Sequence, residues 1–197
     1  RSFNFPRTPN TFGETFDNSP VITLTRVTSD GTAIVYSTHL RTTGRVYAND
    51  IGVDSRGYAT LVGTVSFDLP PVPGPTIPGS IVTTGDALDD EYNRGDETYP
   101  PPPFTQPSTQ DGFITVVNAD ASGLVYSSYI GEDSNEECWT AFVDHANSAW
   151  VAGYTQNAAF QTGPTGINAS YLSQNALKRV NDGAGDGWFV KLRVKLP

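Results

Sequence analysis

The sequence contains two copies of one pattern, and this repeat constrains the fold more than any other feature. Residues 21–66 align without a gap with residues 111–156, each position matching the one 90 further along, and ten of the 46 pairs are identical. Similar residues, such as Ile34 and Leu124, fall on the same apolar positions. A repeat of this length is typical of arrays in which each copy is one supersecondary unit.

Each copy is predicted to form four antiparallel β-strands. Both contain Val-Tyr-Ser, at 35–37 and 125–127, within a segment where apolar and polar residues alternate with a period of two. Asp54 and Asp144 occupy matching positions before a short turn that favours a tight hairpin. Only residues 171–180 offer a helix candidate, so the fold class is predicted to be all-β.

The repeat divides the chain into six predicted segments. Residues 67–110 hold a Pro-rich run and an acidic patch, which favour an extended surface insertion over sheet interior. Residues 186–192 resemble the first strand of the second unit, after which the chain ends. The segments are an N-terminal linker or edge segment (1–20), the first unit (21–66), the insertion (67–110), the second unit (111–156), a linker (157–185) and a lone terminal strand (186–197).

The charge balance excludes one class of partner. Twelve Lys and Arg residues against 21 Asp and Glu residues give a net charge of −9, which repels phosphate backbones, so we expect no nucleic-acid partner. No apolar run reaches the length of a membrane-spanning helix. The single cysteine, Cys138, excludes an internal disulfide. The abundance of Thr, Ser, Gly, Asn, Tyr and Pro, with few Lys, leads us to expect an extracellular or cell-surface protein. The start at Arg1, without any Met, indicates that a leader has been removed or that the sequence begins within a precursor.

The second unit resembles a known repeat family. The residues Asp-Gly-Phe-Ile at 111–114, Val-Tyr-Ser-Ser-Tyr-Ile-Gly at 125–131 and Ala-Trp-Val-Ala-Gly-Tyr-Thr at 149–155 are similar to the bacterial SBBP-type β-propeller repeat. Residues 5–9 (Phe-Pro-Arg-Thr-Pro) and 160–164 (Phe-Gln-Thr-Gly-Pro) look like its linkers between blades. The resemblance implies four-stranded blades in secreted or surface proteins, without an enzymatic activity or functional residues that carry over.

A propeller of the usual four to eight blades cannot close from two units and one strand. We therefore expect an open or partial propeller with an extra terminal strand, completed by further copies or by the rest of a longer propeller chain; the alternative is a sandwich of two stacked sheets. The lone strand must pair with its own chain or with another molecule, because unpaired edges invite strand addition. We predict a self-assembling structural subunit, a ring or a filament that exchanges terminal strands. The predicted assembly residues are Trp188, Phe189, Val190, Leu192, Val194 and Leu196.

No residue set predicts an enzyme or a bound cofactor. Asp54 and Asp144 are interpreted as turn residues, and Ser37 and Ser127 as strand residues. His39, His145 and Cys138 lie too far apart in the sequence to indicate a metal site.

Two binding possibilities stay open. The acidic patch offers candidate calcium ligands in Asp86, Asp89, Asp90 and Glu91, with a solvated loop as the alternative. A glycan- or protein-binding module is the alternative function, since Trp139, Trp150 and Trp188 are candidates for a sugar-binding face, although Trp150 and Trp188 are expected in the core. The tripeptide Arg-Gly-Asp at 94–96 is interpreted as chance, and Asn168 is a candidate glycosylation site.

Overall fold

The described part of the protein consists of β-strands and their connections. The computed structural model describes residues 5–13, 21–42, 45–66, 81–90, 92, 110–131, 135–156 and 185–193. The strands in these ranges are β1 Val21–Val27, β2 Ile34–Arg41, β3 Arg45–Val53, β4 Ala59–Ser66, β5 Gln110–Val117, β6 Leu124–Ile130, β7 Glu136–Val143, β8 Ala149–Thr155 and β9 Asp186–Leu192. The prediction of an all-β fold is confirmed. The helix candidate at 171–180 lies outside the described residues.

The strands form three antiparallel sheets. β1 and β2 make a two-stranded sheet, β3, β4, β5 and β6 make the four-stranded central sheet, and β7, β8 and β9 make the third sheet, each in chain order. Within the ranges described, no helix has the length and hydrophobicity needed to cross a membrane.

The sheets do not coincide with the sequence units. Residues 21–66 and 111–156 were each predicted to form one four-stranded sheet, and that grouping is wrong. The central sheet combines the last two strands of the first unit with the first two of the second, because β4 pairs with β5 from Ala59–Val117 to Ser66–Gln110. The sheets are therefore offset from the sequence repeat by two strands.

The physical reason for this offset lies at the outer edge of β2. The Thr8 N–H donates to the Ser37 carbonyl at 3.0 Å, and the Ser37 N–H donates to Thr8 Oγ1 at 3.0 Å. Thr84 makes the same two bonds, also at 3.0 Å, with Ser127 of β6. We call these two segments, residues 5–13 and 81–90, linkers. They occupy the edges of β2 and β6, so neither strand continues its sheet with the next strand along the chain.

The central sheet is buried on both of its faces. One face, which we call the first face, packs against the two-stranded sheet, and the other, the second face, packs against the third sheet. Leu61 and Phe113 lie on the first face, and Val62 and Ile114 lie on the second. Every residue of β4 is buried, as are seven of the eight in β5. These two strands thus contribute to both hydrophobic cores of the molecule.

A glycine opposite an aromatic ring recurs in two sheets. A Cβ atom on Gly63 would stand 1.9 Å from the Tyr47 carbonyl oxygen and 2.6 Å from the Phe113 ring. A Cβ atom on Gly153 would stand 1.9 Å from the Glu137 oxygen and 2.6 Å from the Trp188 ring.

Each of these glycines also lies beside a β-bulge. The register shifts between Ala48 and Asp50 in β3, and between Cys138 and Thr140 in β7. Gly63 pairs with Ala48 and Gly153 with Cys138. Bulge, glycine and ring form one packing unit that the repeat carries twice.

We predict that Gly153→Ala destabilises the protein by about 1–3 kcal/mol, because the new methyl group forces the Trp188 ring and the β7 backbone apart. Urea unfolding followed by tryptophan fluorescence measures this change. The control Gly85→Ala adds a methyl group where no atom lies within 4 Å and is expected to stay within about 0.5 kcal/mol of the wild type. Equal free energies of unfolding for the two variants would contradict the role of Gly153 in this packing unit.

Candidate functional site

The two aspartates at matching positions are turn residues, as predicted. Asp54 Oδ1 accepts the N–H groups of Arg56 and Tyr58 at 2.9 Å, and Asp144 Oδ1 accepts those of Ala146 and Ser148 at 2.9 Å. Each side chain therefore holds a tight hairpin in shape. The repeat preserves this turn because it satisfies the same backbone donors in both units.

Asp144 differs from its counterpart in what its second oxygen binds. Oδ2 lies 2.8 Å from Lys191 Nζ and accepts the Trp150 indole N–H at 2.9 Å. The Lys191 ammonium also lies 4.7 Å from the centre of the Trp150 ring. Lys191 and Trp150 hold the pKa of Asp144 well below its usual range. One carboxylate thus fixes the turn, the cation and the indole together.

Four of the six predicted assembly residues lie on β9, which pairs with β8 of its own chain. The register runs from Ala149–Leu192 to Thr155–Asp186. Trp188 is buried against the central sheet, whereas 68% of Phe189 is exposed. Val190 and Leu192 are half-buried against the same core as Trp188. Val194 and Leu196 lie outside the described residues.

Of the three equivalent strands β1, β5 and β9, two have a sheet partner on one side alone within the ranges described. β9 pairs with β8 but with no strand beyond it, and β1 pairs with β2 alone. The equivalent strand of the central sheet, β5, has a partner on each side. We call the second sides of β1 and β9 the open edges.

The face of the third sheet that points away from the central sheet carries a group of exposed aromatic rings. It is the equivalent of the second face of the central sheet, and we call it the second face of the third sheet. The exposed fraction is 68% for Phe189, 63% for Phe142, 51% for Trp139 and 36% for Trp150. Tyr154 belongs to the same face, and its ring stacks on Trp139 with centroids 5.7 Å apart and an angle of 5° between the planes. An exposed aromatic patch of this kind marks an interaction surface more often than a scattered surface residue does.

One of the two expectations for buried tryptophans is correct. Trp188 lies in the core, with 7% of its surface exposed. Trp150 lies on the exposed face, because its neighbour Val151 points into the core and side chains alternate along a strand. Trp139 is a surface candidate from the sequence, whereas the only sequence signal for Phe142 is an aromatic residue at the position that Gly52 occupies in the first unit.

The candidate calcium ligands do not form one cluster in the described residues. Asp89 is only 2% exposed, and its carbonyl accepts the Tyr129 N–H at 3.0 Å while its own N–H donates to Ser128 Oγ at 3.0 Å. The alternative of a solvated loop is thus wrong for Asp89, which fastens the linker to β6. Glu91 lies outside the described residues, as do Asn168 and residues 94–96. Within the ranges described, no three His, Cys, Asp or Glu side chains come together as metal ligands.

The remaining chemical groups have structural positions. His39 is buried on β2 and His145 lies in the turn after β7. Cys138 is fully buried in the second core, where burial raises the pKa of its thiol far above the ordinary range. Such a thiol is a poor nucleophile. Ser37 and Ser127 are strand residues, as predicted, and their hydroxyls bond to Thr25 and Thr115 at 2.9 and 2.8 Å, respectively.

Two residues of the β3 bulge join the central sheet to the third sheet. Asp50 Oδ2 accepts the Thr140 hydroxyl at 2.5 Å and the Ala141 N–H at 3.0 Å. The Asn49 amide donates to the Cys138 carbonyl at 2.8 Å. The hydrogen bonds from Thr140 and Ala141 lower the pKa of Asp50. The alternation of apolar and polar residues does not predict these contacts, because a bulge interrupts that alternation.

Comparison with known proteins identifies no family: no family model and no curated protein matches the chain.

We predict that the protein loses stability as the pH falls through about 4, the range in which an unfolded Asp takes up its proton. The folded-state pKa values of Asp50 and Asp144 are lowered, so the unfolded chain binds more protons there and acid favours unfolding. Urea midpoints at pH 7 and pH 3 measure this loss, which should be smaller in the double variant Asp50→Asn, Asp144→Asn. Ile51→Ala, an exposed neighbour without a titrating group, should keep the wild-type dependence. A double variant with the full wild-type loss would contradict the assignment.

Proposed function

We propose that this chain is a structural module of a propeller-like protein outside the cell, and that it assembles by adding strands to its open edges. The observation that carries the proposal is the unequal size of the sheets. The central sheet has four strands, whereas the two-stranded and third sheets stop short of that number in the described residues. Other strands, from further copies or from the remainder of a longer chain, would complete them.

The central sheet serves as the template for completion. β9 is the equivalent of β5, and the place that β6 fills beside β5 has no strand beside β9 within the ranges described. β1 is also an equivalent of β5, and its open edge corresponds to the side on which β5 pairs with β4. Open edges present unpaired N–H and C=O groups, which favour pairing with another strand. The third sheet thus requires a strand in the place that β6 holds in the central sheet, and the two-stranded sheet requires one in the place of β4.

The linkers support the same conclusion. Thr8 and Thr84 each bind the outer edge of one strand, β2 or β6. The sequence contains a further linker of this kind at 160–164. It therefore has three linkers, whereas the described residues include two strands of the β2 type. A strand supplied to the edge of β9 would give the third linker a partner.

The order of the sheets favours a propeller-like stack over a sandwich of two sheets. The second face of the central sheet packs on the third sheet, and its first face packs on the two-stranded sheet. Three sheets follow one another in this way: the two-stranded sheet packs on the central sheet, the central sheet packs on the third sheet, and the third sheet ends the row in the described residues. Repetition of one such step is what builds a propeller. The resemblance to the SBBP-type repeat and the scarcity of Lys support a location outside the cell.

We expect the protein to form assemblies whose mass, measured by light scattering, rises with concentration. Hydrogen exchange of backbone amides tests whether β9 is the contact. In the single chain, the amides on the open edge of β9 should exchange much faster than those of β5, which has partners on both sides. Assembly should slow these amides and leave β5 unchanged.

A competing peptide provides the control. A peptide with the sequence of residues 124–130 copies β6 and should reduce the mass of the assemblies, whereas a scrambled peptide should not. A single chain at all concentrations, with β9 amides as slow as those of β5, would contradict the proposal. That result would mean that the chain covers the edge itself.

A further inference from the structure

The second face of the third sheet differs from the equivalent face of the central sheet in a way that indicates a ligand. On the central sheet this face is covered by the third sheet, and its residues Val62, Ile114 and Val116 are nearly fully buried. On the third sheet the equivalent positions hold Ala152, Phe189 and Lys191. The covered face is therefore aliphatic, whereas the exposed face combines a small residue, an aromatic ring and a charge.

The exposed face carries one small side chain, Ala152, among larger ones, and we call this position the Ala152 depression. Ala152 pairs with Thr140 on one side and with Phe189 on the other, so the Phe189 ring stands directly beside the small methyl group. Tyr154 and Trp150 are two residues away along the same strand, in opposite directions, and point to the same face. The Trp139 ring stacks on Tyr154, so aromatic residues flank the Ala152 methyl group on three sides, with Thr140 on the fourth.

The two indole rings are held in fixed orientations by polar partners. The Trp139 indole N–H donates to Glu137 Oε2 at 2.7 Å, and the Trp150 indole N–H donates to Asp144 Oδ2 at 2.9 Å. Both indoles therefore have their donors satisfied within the chain. Fixed, flat rings lose little conformational entropy on binding, and the same carboxylates place hydrogen-bonding groups next to apolar surface.

Another β-sheet would pack poorly on this face. On the central sheet, Gly52 allows Val143 Cγ2 to come within 3.0 Å of where a Cβ atom would lie. Phe142 occupies the equivalent position on the third sheet, and its ring prevents that approach. A covering sheet would also bury the ion pair of Lys191 and Asp144, whose desolvation is costly.

We propose that the Ala152 depression binds a neutral oligosaccharide. A sugar ring has apolar C–H faces that pack on aromatic rings, and hydroxyl groups at its edge that both donate and accept hydrogen bonds. The depression offers rings in its walls and the groups of Glu137, Asp144 and Lys191 at its margin. The net charge of −9 opposes an anionic sugar chain, which favours a neutral oligosaccharide over an acidic one. This proposal does not depend on assembly through the open edges.

Titration of the full chain with soluble oligosaccharides of glucose, mannose and N-acetylglucosamine, followed by calorimetry, tests the proposal. We expect one or more to bind, and Phe189→Ala to weaken that binding roughly tenfold, the loss expected for one aromatic contact. Ala152→Lys should abolish binding, because its longer side chain fills the depression. The control Tyr47→Ala removes a similarly exposed ring, 55% exposed, from β3 and should bind like the wild type.

Three results would overturn the proposal. One is the absence of heat from every neutral oligosaccharide at millimolar concentration, with all variants folded by circular dichroism. Another is unchanged affinity in both Phe189→Ala and Ala152→Lys. The third is a dimer in light scattering that Phe189→Ala returns to a single chain, which would identify a second copy of the protein as the occupant of the depression.

Discussion

The pairing of β4 with β5 is the interaction on which the rest of the structure depends. These strands come from different sequence units, are separated by residues 67–109 and are buried almost along their whole length. Leu61 and Phe113 support the first core, while Val62 and Ile114 support the second. Because both hydrophobic cores include side chains of this one strand pair, loss of the pair would weaken both cores at once.

The contacts between the sheets are polar as well as apolar. The bulge in β3 turns Asn49 and Asp50 toward the third sheet, where they bind Cys138, Thr140 and Ala141. A hydrogen bond to a specific backbone group fixes one relative position of two sheets, whereas an apolar contact alone permits sliding. The β3 bulge thus fixes the position of the third sheet relative to the central sheet. Gly63 and Gly153, beside the bulges, leave room for the rings of Phe113 and Trp188.

The sequence predicts the strands well and their partners poorly. Val-Tyr-Ser in each unit and the aspartates before the hairpins locate strands and turns, because alternation and turn chemistry are local properties. The pairing of β4 with β5 depends on Thr8 and Thr84 occupying other edges, and no local pattern reports such a contact. The position of Trp150 was missed for a related reason: alternation gives two faces, but only the neighbouring sheet decides which face is covered.

The linkers that bind β2 and β6 have an effect beyond connecting sheets. An exposed strand edge is a template for indiscriminate pairing, and proteins usually block it with charges, prolines or bulges. Here a threonine hydroxyl and its backbone amide occupy the edge at Ser37 and again at Ser127. Each linker therefore protects one strand edge against unspecific pairing. Because the edges of β2 and β6 are covered while those of β1 and β9 are open in the described residues, strands can be added only at defined positions.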